Sequence, residues 1–101
     1  MTEKMTISNV LGHVNQFEVD FVWTGKRYFY SYNSLCCVLN FAEQRIVLGR
    51  DWDYSRTTLK HLYAFLWDNY FGNLADKKTI QKAIEDWKFE DWDVKYDAEM
   101  K

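Results

Sequence analysis

Ser55, Arg56, Thr57, Thr58, Lys60 and His61 crowd three hydroxyls, two cations and an imidazole into seven positions at the start of an amphipathic segment. Such a set suits an anion, because the first turn of a helix offers free N–H groups at the positive end of its dipole. The same residues also make an ordinary helix start, with the Ser55 hydroxyl placed to accept from the N–H of Thr57 or Thr58. No glycine-rich loop precedes them, and Asp51 and Asp53 would repel a phosphate, so the cap is the stronger reading. His61 as a general base lacks an evident orienting partner and nucleophile. Cys36 and Cys37, set among Leu35, Val38 and Leu39, read as buried small hydrophobes with raised pKa rather than as nucleophiles. On a strand these neighbours would point to opposite faces and form no bridge, and His13 and His61 show no ligand spacing. The expectation is a chain with no catalytic residues, no metal and no cofactor.

Two stretches point instead to binding. Tyr28, Tyr30 and Tyr32 alternate beside Lys26 and Arg27, as in a platform on which rings stack bases and cations track phosphates. Direct nucleic-acid binding is nevertheless disfavoured, since the chain carries net charge −2 without a dense basic run. From Glu85 to Glu99 seven carboxylates face two lysines, a local −5 that leaves about +3 elsewhere. Interleaved with rings, Asp86, Glu90, Asp91, Trp92, Asp93 and Tyr96 form a candidate partner-binding surface that fits a basic nucleic-acid channel.

These residues need elements to hold them. Phe17, Val19, Phe21 and Trp23 alternate with Glu18, Asp20 and Val22, the pattern of a half-buried strand, and Thr24-Gly25 turns the chain into a second strand over 26–32. Residues 35–41 and 45–49 read as a second hairpin through β-branched Val38, Ile46 and Val47, with a helix capped by Ser34 as the alternative for 34–41. In the long helix, Leu59, Leu62, Tyr63, Leu66 and Tyr70 share one stripe, Phe65 and Trp67 flank it, and Thr57, His61 and Asp68 lie opposite. Gly72 is placed to end that helix in a left-handed conformation. A second, shorter helix starts after Asp76 and repeats Ile80, Ala83, Ile84 and Trp87. Residues before 15 could be a helical turn or an irregular lead-in, and Trp92, Val94 and Tyr96 alternate as a short strand or a docked tail.

The predicted fold is therefore α+β, a roughly four-stranded antiparallel sheet of two hairpins packed by one long and one shorter helix. At 101 residues the chain makes one domain, 1–101, with residues 1–6 and 97–101 expected to fray. No apolar run spans a bilayer and no signal segment opens the chain, so a cytoplasmic location is expected. Nineteen per cent aromatic residues exceed what so small a core encloses, which puts rings on the surface.

Y-F-Y-S-Y-N-S at 28–34 and W-D-Y-S-R-T-T-L-K-H-L at 52–62 resemble a group of small, mostly uncharacterised phage-encoded proteins that share an S-Y-x-[ST] strand end and a Y-S-x-T-T-x-K-H-L helix start. The resemblance covers the middle third of the chain and implies an accessory product in the cytoplasm of an infected bacterium. The functional expectation is non-catalytic protein binding by the acidic and aromatic surface, in the manner of an anti-defence inhibitor, such as an anti-CRISPR, of a bacterial nucleic-acid-handling or defence enzyme. Its alternatives are single-strand nucleic-acid binding by the tyrosine face and a structural homodimer.

Overall fold

The computed structural model describes residues 4–100. Among the described residues, seven strands form one mixed sheet, with strand order β1-β2-β3-β4-β5-β7-β6. The strands are β1 (Met5–Asn9), β2 (Gln16–Phe21), β3 (Lys26–Ser31), β4 (Ser34–Asn40), β5 (Arg45–Gly49), β6 (Lys88–Phe89) and β7 (Trp92–Asp97). Helices α1 (Arg56–Asp68) and α2 (Lys77–Asp86) intervene between β5 and β6. This corrects the four-stranded antiparallel sheet: the two hairpins are present, but the sheet gains a strand on one side and a hairpin on the other. The first five strands run antiparallel, and the helical crossover then returns the chain so that β7 pairs parallel to β5, Ile46 lying opposite Val94.

Both helices pack on one face. Phe29, Leu39, Ile46, Leu48 and Val94 from the sheet meet Leu62, Phe65 and Leu66 of α1 and Ile80 and Ala83 of α2. The Phe29 and Phe65 rings stack at 5.4 Å. Cys36 and Cys37 both sit in this core, contrary to strict alternation, because the β3–β4 register slips between Phe29 and Tyr30 and leaves Cys36 as the bulged residue. Of residues 34–41, Ser34–Asn40 are thereby strand rather than helix, and Phe41 opens the following turn. The hairpin before them turns on Tyr32 and Asn33, at φ 48° and 67°, the paired positive φ that a tight type I′ connection demands.

The α1 cap forms as the sequence predicts, Thr58 N–H donating to Ser55 Oγ at 3.1 Å. The helix is rotated from the predicted stripe: Thr58 and His61 are buried, while Trp67 is exposed. It also stops earlier. Tyr70, at φ 71°, is the left-handed residue, with Phe71 N–H reaching Leu66 O at 2.7 Å and Tyr70 N–H reaching Trp67 O at 3.3 Å, a Schellman ending. Gly72 serves packing instead, since a Cβ there would lie 1.8 Å from the Trp67 ring. Asp76 caps α2 through Thr79 N–H at 3.1 Å, but Trp87 leaves the predicted stripe to become an exposed left-handed residue at φ 60°.

Of the ends expected to fray, residues 1–3 and 101 lie outside the described residues. Met5 and Thr6 belong to β1, and Met100 N–H donates to Asp97 O at 3.2 Å. Among the described residues no helix is long and apolar enough to cross a membrane.

Candidate interaction surface

The β2–β3 register decides which side chains meet. Phe17 lies opposite Tyr30, Val19 opposite Tyr28, and Phe21 opposite Lys26. Phe29, one residue out of phase with Tyr28 and Tyr30, packs under α1, so this whole set projects from the face the helices leave open. That reverses the expected orientation of β2: its apolar residues face outward, and Glu18 and Asp20 turn toward the helical side. Phe17 stacks on Tyr30 at 5.1 Å and Phe21 tilts against Tyr28 at 5.0 Å, with Val19 held between the two ring pairs. Burial of Tyr30 and the nearby Tyr28 push the Tyr30 phenol above its ordinary pKa.

The apolar face extends sideways. Met5 and Ile7 join from β1, Leu35 and Val38 from β4, and Val47 from β5. Over β1 to β5 its only charged strand residues are Lys26 and Arg45, both basic, and β7 adds Lys95 opposite Val47. Asp93 and Asp97 enter at the β7 side, Asp93 bonded to Lys88 at 2.9 Å. Lys26, Tyr28 and Tyr30 of this surface are legible in the sequence, whereas Phe17, Val19, Phe21, Val38 and Val47 join them only through the register. Arg27 and Tyr32 do not belong to it, since Arg27 points to the helical side and Tyr32 lies in the turn.

Arg27 has another task. Its guanidinium donates to Asn69 Oδ1, lies 3.9 Å from the Asp20 carboxylate and sits over the Phe41 ring at 5.3 Å. Asn69 Nδ2 donates to Glu18 Oε1 at 3.0 Å and to Phe65 O at 2.8 Å, so this residue ties the end of α1 to β2 and β3. Burial, then the neighbouring Asp20, push the Glu18 carboxyl from the ordinary 4.5 up to about 7.

The acidic end is ordered and built into the fold. Trp92 stands edge-on to Phe41 at 5.3 Å and to Phe71 at 4.8 Å, which makes it a packing residue. Asp86 pairs with Lys82 at 3.1 Å, Glu90 occupies the β6–β7 turn at φ 53°, and Asp91 and Tyr96 are exposed. The carboxylates thus form a ridge along one sheet edge, without Trp92 as a protruding anchor.

The strand end at 28–34 and the helix start at 52–62 converge on one cleft, lined by Ser31, Tyr32, Ser34, Asp51, Tyr54 and Ser55. Its polar groups bond one another: Ser31 with the Thr58 hydroxyl at 2.9 Å, and Ser34 Oγ donating to Asp51 at 2.9 Å. Arg50, then Ser34, hold Asp51 below its usual carboxylate range. The motif is a joint between strand and helix, in keeping with the capping reading.

The histidines, distant in sequence, meet with ring centroids 5.1 Å apart. His61 Nδ1–H donates to Thr57 O at 2.7 Å, and His13 Nδ1 accepts from Asn15 N–H at 3.1 Å. Among the described residues no three His, Cys, Asp or Glu side chains gather as a metal site. Burial pushes the Cys36 thiol up to about 12 and raises Cys37 as well, which keeps both from acting as thiolates.

These features define a small α+β protein whose mixed sheet is helix-covered on one side and ring-covered on the other. The chain belongs to a family of unknown function (DUF8033), whose model matches residues 3–83. That match ends within α2, before the β6–β7 hairpin. No curated protein and no solved structure matches the chain significantly.

Proposed function

We propose that this chain is a non-catalytic binding protein that holds a protein partner on the open face of its sheet. One observation carries the reading: the helices cover a single face, and the other presents two aromatic pairs around Val19 with aliphatic residues beside them. The rings are half-buried against one another with Val19 covered beneath them, and Met5 and Ile7 are exposed beside them. A contiguous apolar face of this kind marks interaction sites, and rings supply most of the anchoring energy in protein interfaces. With Lys26 at one margin and Arg45, Lys95, Asp93 and Asp97 at the other, the face suits a partner surface that is apolar at its centre and carries both charges at its rim. The phage resemblance supplies the biological setting of the proposal, an accessory protein of the bacterial cytoplasm that inhibits a nucleic-acid-handling or defence enzyme.

The test is capture from bacterial lysate followed by titration with the purified partner. Tyr28→Ser with Tyr30→Ser is expected to weaken binding about tenfold or more, whereas Glu90→Gln with Asp91→Asn leaves it unchanged. Binding that survives loss of both tyrosines but fails with the acidic pair would move the site to the carboxylate ridge and overturn the assignment.

The tyrosine rings beside Lys26 support a second reading, single-strand nucleic-acid binding. Labelled oligonucleotides titrated at low and high salt decide it: affinity that falls with salt and with loss of Tyr28 supports nucleic acid, and no affinity at low salt excludes it.

A further inference from the structure

A hydrogen bond sets the phase of the outermost strand. Val22 N–H donates to Lys4 O at 3.2 Å, which extends the Met5–Phe21 register by one bonded pair. Bonded and non-bonded pairs alternate in an antiparallel ladder, so Lys4, Thr6 and Ser8 direct their backbone groups at β2. Met5, Ile7 and Asn9 direct theirs away from the sheet.

That outward row is open at Met5, at Ile7 and at the Asn9 N–H, while Asn9 O starts the 3-10 turn Val10–Gly12. All five residues of β1 are exposed, and Met5–Asn9, reading MTISN, contains no charge, no proline and no bulge, the devices that ordinarily blunt a sheet edge, the one charge on this side of the ladder being Lys4 at its start. The other end of the sheet differs: β6 is only two residues long, one of the two is Lys88, and Glu90 follows it.

We infer that β1 is the pairing edge for a second copy of this chain, the two β1 strands running antiparallel about a two-fold axis at Ile7. In that register Ile7 faces Ile7 of the other copy, Met5 faces Asn9, and Thr6 faces Ser8. Ile7 exchanges two backbone hydrogen bonds with its counterpart and each Asn9 N–H donates to Met5 O of the other copy, about four in all, because Asn9 O already accepts the first bond of the 3-10 turn Val10–Gly12. Apolar side chains meet at the axis on the open face, hydroxyls meet on the helical face, and no like charges oppose each other. Ile7 and Met5, 59% and 52% exposed in the single chain, become covered. The Asn9 side chain is already bonded to His13 O at 3.0 Å, which keeps it clear of the new ladder. A second copy fits this edge because the register sets Ile7 on Ile7 and Thr6 on Ser8 and opposes no like charges. The pair would also join two open faces into one, yet it stands apart from the open-face reading and would survive that reading's failure.

Analytical ultracentrifugation of the full chain across a concentration series tests it, with hydrogen exchange read alongside. The wild-type chain is expected to pass from its 12.2 kDa monomer mass to twice that value, with the Ile7 and Asn9 amides gaining protection as dimer forms. Ile7→Lys sets like charges on the axis, and Ile7→Pro deletes a donor that the single chain's sheet does not use; each should weaken the dimer about tenfold or more while the circular dichroism stays native. A wild-type mass that stays monomeric to about millimolar concentration overturns the inference. So does a dimer that persists in both variants, since another face would then be holding it.

Discussion

Glu18 shows what a reversed strand does to a single residue. Because Phe17, Val19 and Phe21 take the open face, the carboxylates between them are carried toward the helices, and Glu18 is pushed to about 7 by burial and by Asp20. A carboxyl whose pKa is higher in the fold than in the unfolded chain holds its proton more tightly when folded. Its contribution to stability is therefore full below about 4.5 and fades as pH rises through 7. Allowing for solvent screening of this half-exposed group, the loss is about 1 to 2 kcal/mol. Glu18→Gln keeps an oxygen for Asn69 and removes the titration. Its stability relative to wild type should rise by that amount between pH 5 and pH 8 in urea unfolding, and equal slopes for the two proteins would show that Glu18 is not responsible. Alternation along 17–23 made the strand legible but not which side faced inward, since period 2 has two phases and only the neighbouring strands and helices choose between them. The cysteine parity and the inward turn of His61 escaped for the same kind of reason, the first through a bulge and the second through a rotation of α1 that brings it against His13.

At the scale of elements, starts were more legible than ends. Ser55 and Asp76 announce their helices because a short polar side chain before an amphipathic run has one favourable use there. The end of α1 was misplaced because Gly72 is the residue a left-handed position favours, whereas the chain puts Tyr70 there and keeps the glycine for contact with Trp67. β1 was missed because MTISN pairs on one side only and carries a weak alternation. Left-handed geometry costs a residue with a Cβ roughly 1 kcal/mol, and the Tyr70 side chain, 90% exposed, has little packing to offset it. Tyr70→Gly should accordingly stabilise the chain by about 0.5 to 1 kcal/mol in denaturant titration. A loss of stability on that change would mean that the ring contributes more than its exposure suggests.

For the whole molecule, the decisive feature is the strand inserted last. β7 pairs parallel to β5 only after two helices have crossed the sheet, a non-local closure that no local pattern in 92–97 specifies. A four-stranded sheet was the natural reading of the two hairpins, because the signals for them are adjacent in sequence while the partner of β7 lies more than forty residues away. Closure buries Val94 and wedges Trp92 between Phe41 and Phe71, so the acidic end is part of the core's wall as well as its surface. Trp92 as a partner anchor and Trp92 as a half-buried ring packed against the core predict different losses. If it anchors a partner, Trp92→Ala leaves unfolding unchanged and affects binding alone. If it closes the sheet, the truncation costs about 3 kcal/mol, a large share of what a domain this size has, and Trp92→Phe recovers part of it by restoring a ring against Phe71. We expect the second outcome, read as a lowered urea midpoint with an unchanged slope; a midpoint that stays within experimental error of wild type would return Trp92 to the surface role.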